Sequence, residues 1–265
     1  MLFIILTIIF TSLGFSQETI STRNFTQNLD AIIDQTQNYD PHEVLIVIDN
    51  DNTLLAHKQA LGSDQWFAWQ RSLIGTQSPY RLADSFQELV GYYRLALNYH
   101  DSKMRLTDTQ IHQVIKYLDI YGYSRVIMTK REAVTLSGTR RELVANGVRK
   151  THRPPSGIIE GKVKGFTRDL YYKDGLAMTA GQDKGEFLKH ILNKSGDQYK
   201  AIVIIDDHLN NVDDIHRAFA NDNVQTIGLH YQKEKSNVSR FKRMSKKSVH
   251  QDFLKLKAFC DLSYL

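Results

Sequence analysis

Cysteine is almost missing: Cys260 is the single one in 265 residues. It cannot close an internal disulfide, and neither a CxxC pair nor a Cys/His cluster with zinc spacing occurs, which excludes a stapled scaffold and a structural zinc module. Internal repeats and low-complexity linkers are lacking too. Apolar residues at 42% and charged residues at 24% are ordinary globular proportions, which excludes a disordered chain, a collagen-like chain and a multi-span membrane protein. What remains is one large folded domain, or a core domain carrying an inserted subdomain.

Excess positive charge is absent from most of the chain. The formal charge is +5, but from His230 to Lys257 nine basic residues face two acidic ones, and the rest is slightly acidic. A local run such as SRFKRMSKKSVHQDFLKLK reads as a solvated helix face. No nucleic-acid partner is expected, and residues 230–265 are taken as a basic C-terminal segment outside the main function.

The opening residues MLFIILTIIFTSLGFSQ, positions 1–17, form an apolar run ending in small and polar residues, the shape of a secretory signal. No Lys or Arg precedes the run, so an uncleaved membrane anchor is the alternative. Export to the periplasm or exterior is the expectation, with no stable membrane span after cleavage.

Three runs rich in β-branched residues read as buried parallel strands: VLIVID ending at Asp49, SRVIMT ending at Thr129 and KAIVIID ending at Asp206. Helical patterns alternate with them, which predicts an α/β fold with a doubly wound parallel sheet over residues 18–265. Residues 60–107 break the alternation and read as helices inserted after the first strand, a cap over the strand ends. Its aromatics Trp66, Phe67 and Trp69 serve either as the core of that small unit or as ligand contacts. The Gly-punctuated stretch GIIEGKVKGFTRDLYYKDGLAMT reads as a β-hairpin excursion.

In an open parallel sheet, ligands bind at the carboxyl ends of the strands. Asp49 and Asp51 stand there together, followed by Thr53. Alternate residues of an extended segment point the same way, so the two carboxylates converge, and a divalent cation would relieve their repulsion. An EF-hand loop is excluded, because Leu54 stands where its glycine is needed and Ala60 where its glutamate is needed. Asp206 and Asp207 end the third strand and are candidate metal ligands, with Asn211 placed to orient their loop. Thr129 offers a hydroxyl for a phosphate oxygen. Lys130 and Arg131 follow it and either contribute to phosphate binding or face water. Lys184 opens a helix and offers an ammonium both to Asp49, as nucleophile, and to a transferring phosphoryl group.

Asp49-x-Asp51-x-Thr53, Thr129, Lys184 and Asp206-Asp207 resemble, in order and spacing, the four motifs of the haloacid dehalogenase-like (HAD-like) superfamily. IDNDNTLL, LGSDQWFAWQ and YKDGLAMTAGQDKG are similar to a bacterial family of uncharacterised exported or effector-type HAD-like proteins. The resemblance implies a Rossmann-type core and a Mg²⁺-dependent phosphatase acting on a small-molecule phosphomonoester. Asp49 would be the nucleophile and a Mg²⁺ ligand, and Asp51 the general acid/base and a contributor to the metal site. Thr129 and Lys184 would hold the phosphoryl group, and Asp206 with Asp207 would complete the metal site. The alternative is a catalytically silent HAD-like binding or effector protein that keeps the metal site.

Overall fold

The computed structural model describes residues 17–99, 103–148 and 151–262, so the apolar leader lies outside the described residues except for Gln17. In chain order the elements are β1 (Glu18–Thr22), α1 (Phe25–Thr36), β2 (Val44–Asp49), β3 (Leu55–His57), α2 (Asp64–Leu73), α3 (Phe86–Tyr99) and β4 (Met104–Leu106). There follow α4 (Ile111–Tyr121), β5 (Ser124–Thr129), α5 (Leu136–Ala145), β6 (Ile159–Gly161), β7 (Leu170–Lys173) and β8 (Leu176–Met178). The chain ends with α6 (Lys184–Ser195), β9 (Ala201–Asp206), α7 (Leu209–Ala218), β10 (Gln225–Tyr231), α8 (Lys235–Arg243) and α9 (Lys247–Leu262).

The fold is α/β, with helices on both faces of a mostly parallel central sheet of strand order β1-β10-β9-β2-β5-β8-β7-β6. Pairing is parallel from β1 to β8 and antiparallel between β8, β7 and β6. The apolar strands alternate faces, as a period of two requires. Val44, Ile46 and Ile48 of β2 pack toward α1 and α4, whereas Leu45 and Val47 pack toward α6 and α7.

Two features differ from the sequence expectation. The Gly-punctuated stretch is a hairpin, turned by Asp174 and Gly175 at φ 52° and 76°, the Asp-Gly signature of a tight turn. Instead of an excursion, however, it extends the sheet, because β8 pairs with β5. The sheet is therefore mixed. Strands β1 and β10, neither anticipated, complete the opposite edge. The supposed C-terminal segment thus begins inside a buried strand, with Tyr231 fully enclosed.

The second difference concerns that segment more deeply. Strands β3 and β4 pair antiparallel and bring the two ends of the inserted helices together. Helix α2 lies against α8, and α3 against α9. Trp66, Leu97, Phe241, Val249 and Phe253 form one shared apolar core, with the Phe253 ring tilted against Trp66 at 5.8 Å and edge-to-face with Tyr92 at 5.0 Å between ring centroids. The basic side chains do face solvent, but the other sides of these helices build half of a helical subdomain. Charge counting hid this, because a run of lysines masks a sparse apolar stripe (Phe241, Val249, Phe253, Leu256) at helical spacing. Helix α3 also starts at Phe86, later than the pattern from Tyr80 suggests.

Because Phe253 is 1% exposed at the centre of this shared core, Phe253→Ala should destabilise the protein by about 3–5 kcal/mol. Chemical denaturation followed by tryptophan emission checks it, since Trp66 is in direct contact. A loss below roughly 1 kcal/mol would mean that α9 contributes little to the folded unit.

Candidate functional site

Strand register places the site. Ile48 of β2 lies beside Ile205 of β9, and Asp49 beside Met128 of β5. Asp49, Asp206 and Thr129 consequently emerge at one level from three neighbouring strands, where the chain order reverses about β2. This is the position at which an open α/β sheet has its crevice.

Lys184 brings the strand ends together. It is the first residue of α6, behind the N-cap Asp183, and its side chain is fully buried. Nζ donates to Asp49 Oδ1 at 2.6 Å, to Asp206 Oδ2 at 2.6 Å and to the Met128 carbonyl at 2.9 Å. An ammonium has three donors, so all are spent. The sequence sets this lysine against both the nucleophile Asp49 and a phosphoryl group, and the contact with Asp49 is present. The structure sets it beneath the carboxylates, where it holds Asp49 and Asp206 in place. Helix α6 can come this close because residue 185 is glycine: a Cβ there would stand 2.0 Å from the Asp214 carbonyl oxygen on α7.

Asp49, Asp206 and Asp207 each present one carboxylate oxygen, and those oxygens lie within 4.8 Å of one another. Asp207 Oδ1 is buried with no hydrogen-bond partner. Ionised together, the three carboxylates would exceed the one ammonium by two negative charges. A divalent cation with hard oxygen ligands matches that donor set and that charge. The residues present therefore fit a metal ion. Around them, Asn211 Nδ2 donates to both oxygens of Asp206, at 2.9 and 3.0 Å, so it orients the acidic loop as expected. The His208 amide donates to Asp206 Oδ1 at 2.9 Å. The Thr53 hydroxyl accepts the Asp207 amide at 3.2 Å.

Asp51 belongs to a different group. Its carboxylate is not one of the three clustered ones and is gripped by Arg131, Nε to Oδ2 at 2.8 Å and Nη2 to Oδ1 at 2.6 Å. Thr129 Oγ1 adds a contact at 3.3 Å. Arg131 is 5% exposed; it neither faces water nor stands free for phosphate, and Nη1 is committed to Thr139 at 2.9 Å. Sequence reasoning missed this pair. The signal was an arginine two residues past a strand-ending threonine, which puts both side chains on the same side of the chain. Lys130 pairs with Asp214 at 3.5 Å, and Asp214 also accepts from the Lys184 amide.

These surroundings set the charge states. Burial pushes the Asp49 carboxyl up to about 7, with Lys184 opposing and Asp206 and Asp51 assisting. Burial and then the Asp49 charge raise Asp207 well above the ordinary carboxylate range. Burial also acts against ionisation of Asp51, yet the charge and hydrogen bonds of Arg131 outweigh it and hold that carboxyl low. Lys184 stays cationic, because Asp206 and Asp49 outweigh its own burial. Pairing with Asp64 raises His208 to about 9.

A cavity of about 310 Å³ opens above Asp49, Asp51 and Thr129. Its far wall is apolar, made by Phe67 of α2 and by Phe86, Val90 and Tyr93 of α3. Arg71 and Arg168 stand at the mouth, with Arg168 over the Phe86 ring at 4.9 Å. Of the aromatics singled out from sequence, Trp66 is core and Phe67 lines the cavity.

The class defined by these observations is an α/β protein with an acidic cluster at the carboxyl ends of its central parallel strands. Residues 18–262 match the family described as Protein of unknown function (DUF2608), and the chain belongs to that family. No curated protein matches the chain.

The raised Asp49 carboxyl fixes the sign of a pH effect. Between the ordinary value of 3.8 and about 7, Asp49 carries more proton in the folded protein than in the unfolded chain. Asp49 therefore contributes a falling slope of stability against pH to the metal-free protein through that window. Thermal unfolding should show this slope flattened in Asp49→Asn. Added divalent cation, which needs the ionised carboxylate, should raise Tm more at about pH 8 than at about pH 5. An equal cation effect at both pH values would remove Asp49 from the metal site.

Proposed function

We propose that the protein is a Mg²⁺-dependent phosphomonoesterase of HAD-like type, working through an aspartyl-phosphate on Asp49. The observation that carries this reading is the joining of Asp49 and Asp206, from two neighbouring strand ends, by the buried ammonium of Lys184, with Asp207 completing the carboxylate cluster. Mg²⁺, held by these three carboxylates, would neutralise charge on the phosphoryl oxygens and keep Asp49 ionised. Asp49 attacks phosphorus, the bond to the ester oxygen breaks as the new O–P bond forms, and the departing oxyanion takes a proton from solvent water. Water then attacks phosphorus, gives its proton to Asp51, and frees both phosphate and Asp49. Lys184 keeps Asp49 aimed at the cavity, and the Thr129 hydroxyl lies at the cavity floor for a phosphoryl oxygen. The subdomain of α2, α3, α8 and α9 acts as the cap that encloses the leaving group. The apolar leader supports an exported protein, and an intact Met1 on soluble cytoplasmic protein in N-terminal sequencing would overturn that location.

A second reading is favoured by one contact. Arg131 takes both oxygens of Asp51, which keeps that carboxylate ionised and unable to give a proton to a leaving group. A binding or effector protein that keeps the acidic cluster without turnover would tolerate such a clamp.

Hydrolysis of an aryl phosphate with and without Mg²⁺ separates the two. The phosphatase reading expects turnover that EDTA removes, that Asp49→Asn abolishes with the fold intact, and whose Mg²⁺ requirement shifts in Asp206→Ala. Activity of Asp49→Asn within about tenfold of wild type, a barrier change of roughly 1.4 kcal/mol, would overturn the covalent route. Cation-induced stabilisation without turnover on any phosphomonoester would favour the second reading.

A further inference from the structure

A second cavity, of about 620 Å³, lies between α2, the end of β10 and α8, and its size is that of a small-molecule site. It meets the first cavity at Asp64, Ala68, Asp207 and His208. Its apolar walls are Trp69, Tyr231 and Phe241. Trp69 is only partly buried, unlike the fully enclosed Trp66 one helical turn earlier.

The fourth wall is the helix that charge counting set aside. Lys235, Val238, Ser239 and Lys242 line the cavity and follow the i, i+3, i+4, i+7 spacing of one helix face. That face turns two ammonium groups, about two helical turns apart, toward the same space. Both lysines are exposed, and among the described residues neither has an acidic partner. The carboxylates on the opposite wall are already engaged: Asp64 and Asp207 both face His208, at 3.9 and 3.7 Å. Lys246 has a different task. Its Nζ donates to the carbonyls of Phe241 and Met244 at 2.6 and 2.8 Å. The same ammonium lies 4.7 Å from the Phe241 ring centre and 6.0 Å from that of Trp69, which fixes the aromatic wall.

An apolar, aromatic-walled space edged by two uncompensated cations selects both a body and a charge. We infer that this cavity binds a small organic anion with a flat apolar body, the body against Trp69 and Phe241 and the acidic end toward Lys235 and Lys242. A neutral flat molecule would leave the lysines unused, and a bare inorganic anion would leave the aromatic wall wet. The inference does not require turnover at Asp49, so its success or failure is separate from that of the phosphatase reading.

The test titrates the metal-free, full-length protein with 8-anilinonaphthalene-1-sulfonate and, in parallel, with N-phenyl-1-naphthylamine, which has the same aromatic body without the sulfonate. Saturable sulfonate binding that quenches tryptophan emission is expected. Lys235→Ala/Lys242→Ala should weaken the sulfonate by about tenfold or more while leaving the neutral probe unchanged. Arg243→Ala/Lys247→Ala removes the same charge from exposed positions outside the cavity lining and should change neither probe. Trp69→Phe should remove most of the quenching, because Trp66 stays enclosed. No saturable binding, equal weakening in the two double variants, or quenching that survives in Trp69→Phe would each overturn the inference. Matching thermal unfolding curves for the variants keep loss of fold apart from loss of binding.

Discussion

One fully buried ammonium, that of Lys184, is the constraint on which the rest of the site depends. An isolated charge in that position would be prohibitive, and it is tolerated because two carboxylates and a carbonyl consume every donor. The arrangement needs β2, β5 and β9 in a fixed register, since Asp49, Met128 and Asp206 come from separate strands. It also needs α6 to begin at the lysine and to approach α7 closely, which Asp183 and Gly185 secure. The sheet register, a helix start and a glycine contact are thus tied to one side chain.

The charges above that lysine divide into two groups with different characters. Asp51 and Arg131 neutralise each other and form a stiff, hydrogen-bonded unit reaching to Thr139 on α5. Asp49, Asp206 and Asp207 exceed their one cation and remain short of positive charge. A diffusing cation is drawn to the second group and not to the first. The helical subdomain then divides the space over them, with α2 separating an aromatic cavity above Asp49 from a larger, lysine-edged one on the Asp207 side.

The parts legible in the sequence are those dictated by local pattern. VLIVID, SRVIMT and AIVIID are apolar on both faces and could only be buried strands, and Asp49, Thr129 and Asp206 at their ends were found for that reason. Asp174-Gly175 announced its hairpin by turn chemistry. What stayed hidden depends on partners far away in the chain. Nothing near Lys184 says that its ammonium faces Asp206 as well as Asp49, nothing near Arg131 says that it closes on Asp51, and the apolar stripe of α9 has meaning only against Trp66 and Tyr92. Strand β1, five residues with one apolar side chain, acquires its identity from β10 alone.

That last pairing bears on how the molecule is assembled. Glu18 lies beside Ile227 and Thr22 beside Tyr231, so the first strand has no neighbour until roughly 200 further residues have been made. Helix α8, which follows β10 directly, cannot dock on α2 before then. Contacts this distant in sequence are closed late and slowly. The β1 edge of the sheet, the contact of α2 with α8 and the lysine-edged cavity therefore all wait for β10 and α8 to be made.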